Sequence, residues 1–184
     1  MNSTPANLTL IGMPGSGKST VGKKLAKLLG WNFLDLDRQI EDRQGMKLWQ
    51  INEAGGHDLL KSVEQQVALE VDCRQTVIAP GGSIVYSEPA MSRLRELGQI
   101  VFLDVPLGIL AVRIGDIKAR GVIIRQDMDL GDLLEERRPL LQKWATHTIS
   151  CGKQSPKKVA LQIVDQLNLQ AVATEESHNP DAAT

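Results

Sequence analysis

The sequence predicts an α/β protein in which a parallel sheet of five strands is covered by helices. Three observations carry that expectation. Short apolar runs alternate with longer amphipathic ones along the chain. A glycine-rich turn, within LTLIGMPGSGKST at residues 8–20, joins the first apolar run to the first amphipathic one. The 184 residues, 42% hydrophobic and 23% charged, are enough for one continuous core.

The first apolar run, 7–12, reads as a strand, and KSTVGKKLAKLLG gives the helix over 17–29. A second strand at 32–36 precedes helices over 37–44, 47–54 and 57–73; in the last, Val63, Val67 and Val71 recur on one face. A strand at 76–79, a helix at 88–97, a strand at 99–104 and a helix at 106–115 continue the alternation. Residues 116–127, DIKARGVIIRQD, lack clean periodicity and read as a mobile lid. A helix over 129–145, a strand at 146–150 and a helix over 156–169 follow. Residues 1–170 are therefore expected to form a single domain, and the small, polar tail over 171–184 to be disordered.

Charge narrows the function. Twenty-one basic against twenty-two acidic side chains leave a net charge of −1, so no global field favours nucleic acid or an anionic membrane. No apolar run approaches the roughly 18 residues of a membrane span. Cys73 and Cys151 lack metal-ligand spacing, and the N-terminus has neither a basic n-region nor an apolar h-region. A cytoplasmic monomer acting on a small molecule is expected.

Gly12, four intervening residues and Gly17-Lys18-Ser19 match GxxxxGK[ST] between a strand and a helix, the context this phosphate loop requires. Glycines at 12, 15 and 17 let backbone N–H groups turn inward, with Ser16 and Thr20 completing the cradle. Lys18 reaches the β and γ phosphates of ATP and Ser19 ligates Mg2+. A plain turn has no use for a lysine just inside a helix N-terminus, where the dipole disfavours it. The loop alone does not name a reaction. The chain lacks the guanine-reading NKxD string and is too short for the added elements of most motor ATPases, which leaves a small kinase.

In FLDLDRQIE, Asp35 and Asp37 lie two apart, on one side of an extended chain. One carboxylate suits magnesium and the other an attacking hydroxyl; the plain alternative is that Asp37 N-caps the next helix.

With APGGS at 79–83, Arg113 and Arg120 leading into the lid, and ERRPLL at 136–141, the chain resembles the shikimate kinase family over about residues 7 to 169. The resemblance implies a P-loop fold of the nucleoside monophosphate kinase type. It implies that Asp35 assists magnesium and that Asp37 binds acceptor hydroxyls and serves as base. Gly81 and Gly82 would offer backbone to the acceptor, Arg137 would clamp its carboxylate, Arg113 would lie along adenine, and Arg120 would close over the transferring phosphate. Lys18, Asp37 and Arg120 are thus the expected catalytic group.

The departures fall on the acceptor side. The family carries GE-x-x-FR-x-x-E where this chain has GHDLLKSVE at 56–64, so Lys61 stands in an arginine's place as a substrate-binding cation. Ser83 replaces the third glycine of a triple, the lid reads RGVI, and Leu141 replaces an aromatic. The expectation is ATP-dependent phosphorylation of a hydroxyl on a small carboxylate metabolite of amino-acid biosynthesis, homoserine first and shikimate as the alternative. Retention of Lys18, Ser19, Asp35, Asp37 and Arg120 argues against a nucleotide-binding regulator. A nucleoside monophosphate kinase would need a base-binding segment that is not evident.

Overall fold

The computed structural model describes residues 6–114 and 128–172. The lid expected at 116–127, with Arg120, and all but the first two residues of the expected tail lie outside them.

Five parallel strands form one sheet in the order β2-β3-β1-β4-β5. The central strand β1, Asn7–Ile11, is buried at every position, as a strand covered on both faces must be. Beside it lie β3, Thr76–Ala79, and β4, Gln99–Asp104, while β2, Asn32–Asp35, and β5, His147–Ser150, form the edges. Register is set at the amino ends by a buried amide: Asn7 Nδ2 donates to Cys73 O at 2.8 Å and Leu97 O at 3.0 Å, and its Oδ1 accepts from Thr76 N at 3.1 Å. Because β1 pairs with β3 on one side and β4 on the other, the chain changes direction across the sheet here, and the crevice opens at the strands' carboxyl ends.

Helix α1, Lys18–Leu29, packs closely on β2; a Cβ at Gly22 would lie 2.5 Å from the Phe33 ring. Its successor α2, Leu36–Gln44, begins one residue earlier than expected because Asp35 is its N-cap, accepting from Arg38 N at 3.4 Å. The helices expected at 47–54 and 57–73 run together as α3, Leu48–Leu69, kinked at Gly56, whose φ of 71° is the left-handed conformation that favours glycine. Val71 lies beyond the helix end but is buried. A 3-10 turn over Ile84–Tyr86, not foreseen, leads to α4, Glu88–Leu97.

The remaining helices are α5, Leu107–Ile114, α6, Leu130–Trp144, and α7, Pro156–Gln166. Asp129 and Asp132 cap the start of α6 reciprocally, at 2.9 Å each way. Val172, placed in the disordered tail by the sequence, is tied down by a 2.9 Å bond from its N–H to Leu28 O. Among the described residues no helix is long and apolar enough to cross a membrane.

Candidate active site

The phosphate loop leaves β1 and enters α1 through Gly12, Gly15 and Gly17, at φ of +156°, +75° and +94°. A side chain at Gly12 would also collide with Ser16, whose Oγ is 2.8 Å from the site of a Cβ. Ser16 Oγ is buried without a hydrogen-bond partner, an orphan polar atom in the loop's interior. Lys18 Nζ curls over the loop and donates to Gly12 O at 2.9 Å and Met13 O at 3.2 Å. Burial draws its pKa down to about 8 against the opposing pull of Asp37.

Ser19 Oγ donates to Asp35 Oδ2 at 2.8 Å. A hydroxyl beside a carboxylate at the foot of a glycine cradle is the hard-oxygen donor set that suits Mg2+ shared with phosphates. Thr20, on the exposed side of the same turn, borders the hollows on both flanks of the loop. Beyond the loop lies a space of about 480 Å3 bordered by Arg113, Cys151, Gln154 and Pro156. Arg113 Nη1 comes within 4.0 Å of where a Gly17 Cβ would stand. Burial pushes the Cys151 thiol up to about 11, so it stays neutral here.

The opposite flank is a cleft of about 360 Å3 that contains Lys18, Asp37, Glu64, Gly81, Gly82 and Arg137. Residues of α1, α2, α3, α6 and the segment after β3 converge there. Asp37 sits in the first turn of α2 with Oδ1 buried and without a donor, and burial raises its pKa to about 6. Glu64, on α3, is 5% exposed; burial raises it to about 7 against a hydrogen bond from Ser83 that favours the charge. Arg137, also 5% exposed, reaches in from α6. Its Nε donates to Tyr86 Oη at 3.2 Å, and Nη1 is 3.0 Å from the site of a Gly82 Cβ. Tyr86 in turn donates to Glu136. Arg138 faces the other way, to Asp104 Oδ2 at 2.9 Å, which pins α6 to the end of β4.

Most residues singled out in the sequence therefore meet in one crevice, with two corrections. Lys61 does not line the cleft. Its Nζ stands 5.4 Å from the centre of the Tyr86 ring, in an adjoining hollow, because Leu60 and Glu64 hold the inward phase of α3. Asp35 and Asp37 do not share one side of an extended chain, since the helix begins between them; Asp35 is the cap and touches Ser19, while Asp37 turns into the cleft. Arg120 lies outside the described residues. Glu64 was missed, although the sequence holds a signal for it: a carboxylate in phase with Leu60, Val67 and Ala68 occupies a buried stripe where a charge seldom sits unless it serves a purpose.

A family model described as shikimate kinase matches residues 14–168. The chain belongs to the shikimate kinase family. Shikimate kinase of Moorella thermoacetica is 39% identical over 137 residues, covering 73% of this chain and 79% of that protein. Among solved structures, shikimate kinase from Acinetobacter baumannii in complex with shikimate is 32% identical with a TM-score of 0.84, over 90% of this chain and 94% of that one. The enzyme from Aquifex aeolicus is 29% identical with a TM-score of 0.72, over 88% and 96%. The fold is the P-loop kinase fold of the nucleoside monophosphate kinase type, and the protein is a small-molecule kinase that uses ATP with Mg2+.

Proposed function

We propose that this kinase transfers the γ-phosphoryl group of ATP to the 3-hydroxyl of shikimate. The observation that carries the reading is the agreement in sequence and fold, over nine-tenths of the chain, with the Acinetobacter baumannii enzyme whose structure contains shikimate. This supports the alternative acceptor weighed from the sequence over homoserine.

The chain's own residues divide the work along the crevice. The glycine loop and Lys18 hold the phosphates, and Arg113 flanks the nucleobase. Ser19 and Asp35 are the groups that would hold magnesium, which neutralises charge on the phosphates when bound. Asp37 accepts the proton of the attacking hydroxyl: its unpartnered Oδ1 faces the cleft, and a pKa near 6 suits a base that must be ionised yet able to take a proton at neutral pH. Gly81 and Gly82 leave the floor bare beneath the acceptor, and Arg137 pairs with its carboxylate. Arg120, outside the described residues, would supply further charge to the transferring phosphate.

A second acceptor has one observation in its favour. Lys61 is turned away, so among the described residues the cleft is lined by Lys18, at the phosphate loop, and by Arg137, with two carboxylates, Asp37 and Glu64. Two acids and one arginine also match a short acid that carries an ammonium, such as homoserine. A coupled ADP-release assay with shikimate and homoserine side by side tests the reading. Shikimate should have the higher kcat/KM by at least about a hundredfold, the discrimination expected when a site's polar groups pair with one ligand only. Turnover of homoserine with none of shikimate overturns it.

A further inference from the structure

We propose that Ser83 and Glu64 form a positioning pair that fixes the acceptor in this kinase, with Glu64 touching the acceptor and Ser83 acting through Glu64. The proposal rests on the reading of the cleft as the acceptor site. Ser83 Oγ lies 2.7 and 2.6 Å from the two carboxylate oxygens of Glu64, and its hydroxyl is the hydrogen-bond donor to that carboxylate among the described residues. Nothing about the fold demands such a pair. A carboxylate at 5% exposure on a stripe of Leu60, Val67 and Ala68 is unfavourable unless compensated, and an apolar residue would fill the place at less cost.

The direction of the carboxylate shows what it serves. A Cβ built on Gly81 would lie 2.7 Å from Glu64 Oε1 and 2.7 Å from Asp37 Oδ1, so two acidic oxygens converge on one point above bare backbone in the cleft. Only one of them, on Asp37, is needed to receive the reacting hydroxyl's proton. The other is placed to accept from a second donor on the same edge of the acceptor, while Arg137 waits at Gly82 for the carboxylate on the opposite edge. The ligand class is therefore an acid with two neighbouring donors, either adjacent hydroxyls or a hydroxyl and an ammonium. Ser83 ties the Glu64 carboxylate in place, while Lys61 lies over the Tyr86 ring. The Ser83 side chain thus does not narrow the pocket so much as aim one of its walls.

The charged groups facing Glu64 are Asp37 from α2, Arg137 from α6, Lys61 on its own helix and Lys18 from α1. Asp37 opposes ionisation of Glu64, whereas Arg137, Lys61 and the Ser83 hydroxyl favour it. Removing that hydroxyl should therefore push the titration of Glu64 upward from about 7.

The experiment measures steady-state kinetics of the full chain and of E64Q, S83A and S83T, with shikimate and with homoserine, between pH 5.5 and 8.5. E64Q should raise the acceptor KM by about ten- to a hundredfold, the loss expected for one charge-assisted hydrogen bond, with the ATP KM within about twofold of wild type. S83A should raise the acceptor KM less, and move the limb of the pH profile near 7 to higher pH; S83T, which keeps a hydroxyl, should restore both. In E64Q that limb should vanish. Thermal midpoints confirm that the variants are folded.

An acceptor KM within twofold of wild type in E64Q, or an S83A profile that does not move, overturns the pair even if shikimate is turned over well. Loss of ATP affinity in step with acceptor affinity overturns it too, since a merely structural role has that signature. If the wild type uses only homoserine, the acceptor assignment falls and the pair is judged by the same signatures on homoserine.

Discussion

Replacing Gly81 by alanine is the sharpest probe of the acceptor floor, because the effect follows from the geometry at a single carbon. The φ of Gly81 lies outside the left-handed region, so alanine meets no backbone penalty and the new methyl is the whole perturbation. That methyl would stand 2.7 Å from Asp37 Oδ1 and 2.7 Å from Glu64 Oε1, about 0.7 Å inside ordinary van der Waals contact on both sides. Neither carboxylate can simply rotate to water, since Asp37 Oδ1 is buried and Glu64 is held by Ser83. Both must be displaced, or the floor must sink. Overpacking of this kind costs about 1–3 kcal/mol of stability, which for a chain of this size lowers the thermal midpoint by roughly 2–12 °C. Displacing a base by a fraction of an ångström, and occupying the space above the floor, should lower acceptor kcat/KM by about a hundredfold. The ATP KM should stay within about twofold, because the atoms nearest the new methyl belong to Asp37 and Glu64 and not to the phosphate loop. Initial rates with each substrate varied in turn, together with a thermal melt, make the check. A variant that melts lower but keeps wild-type acceptor kinetics would refute the placement of the acceptor over Gly81.

The two aspartates should part company in kinetics. Asp35→Asn, which weakens the partner of Ser19, should raise the magnesium concentration needed for half-maximal rate with little change in acceptor KM at saturating metal. Asp37→Asn should lower kcat by at least about a hundredfold at any magnesium concentration, and wild-type kcat/KM should fall as pH drops through about 6, where Asp37 takes up a proton; identical signatures in the two variants would show that the division of labour is wrong. Glu64 should also leave a mark on stability. Its pKa is raised from 4.5 to about 7, so the folded state holds the proton more tightly, and the stability present below the unfolded value is lost as pH rises through about 7. Glu64→Gln removes that loss and should be more stable than wild type at pH 8, by about 1–3 kcal/mol, with the gain gone below about pH 4.5. Denaturant titrations at both pH values test it, and equal stability at pH 8 would mean that the carboxylate is compensated in the fold.

The parts of this protein that could be read from its sequence are those whose physics is local. A phosphate cradle is made of backbone, so the need for left-handed φ at residues 15 and 17 appears directly as glycine, and Lys18 at a helix start has no other reason to be there. The strands β1, β3 and β4 are runs buried on both faces, and their limits hold to within a residue of the expectation. Helix boundaries were less legible where a cap could be placed two ways: both Asp35 and Asp37 can cap, and tertiary contact with Ser19 favours the first. The kink at Gly56 was legible as a break but not as a continuation, because whether two helices stack end to end depends on what they pack against.

The acceptor side was misread for a different reason. Which of Lys61 and Glu64 points inward is a question of helical phase, settled only once Leu60 and Val67 are known to face the core. Lys61 is then turned by about 100° from Leu60, which places it on the flank, while Glu64, a full turn beyond Leu60, points into the cleft. The partners that give Glu64 and Arg137 their directions are 19 and 51 residues away in the chain, at Ser83 and Tyr86. No local pattern encodes such pairs. The same logic separates the two halves of the crevice: a cradle built of backbone leaves few substitutions that still bind phosphate, whereas an acceptor wall built of side chains can be re-aimed by one hydroxyl. A change at position 83 is therefore best understood through the orientation it imposes on Glu64, and only secondarily through the volume it adds.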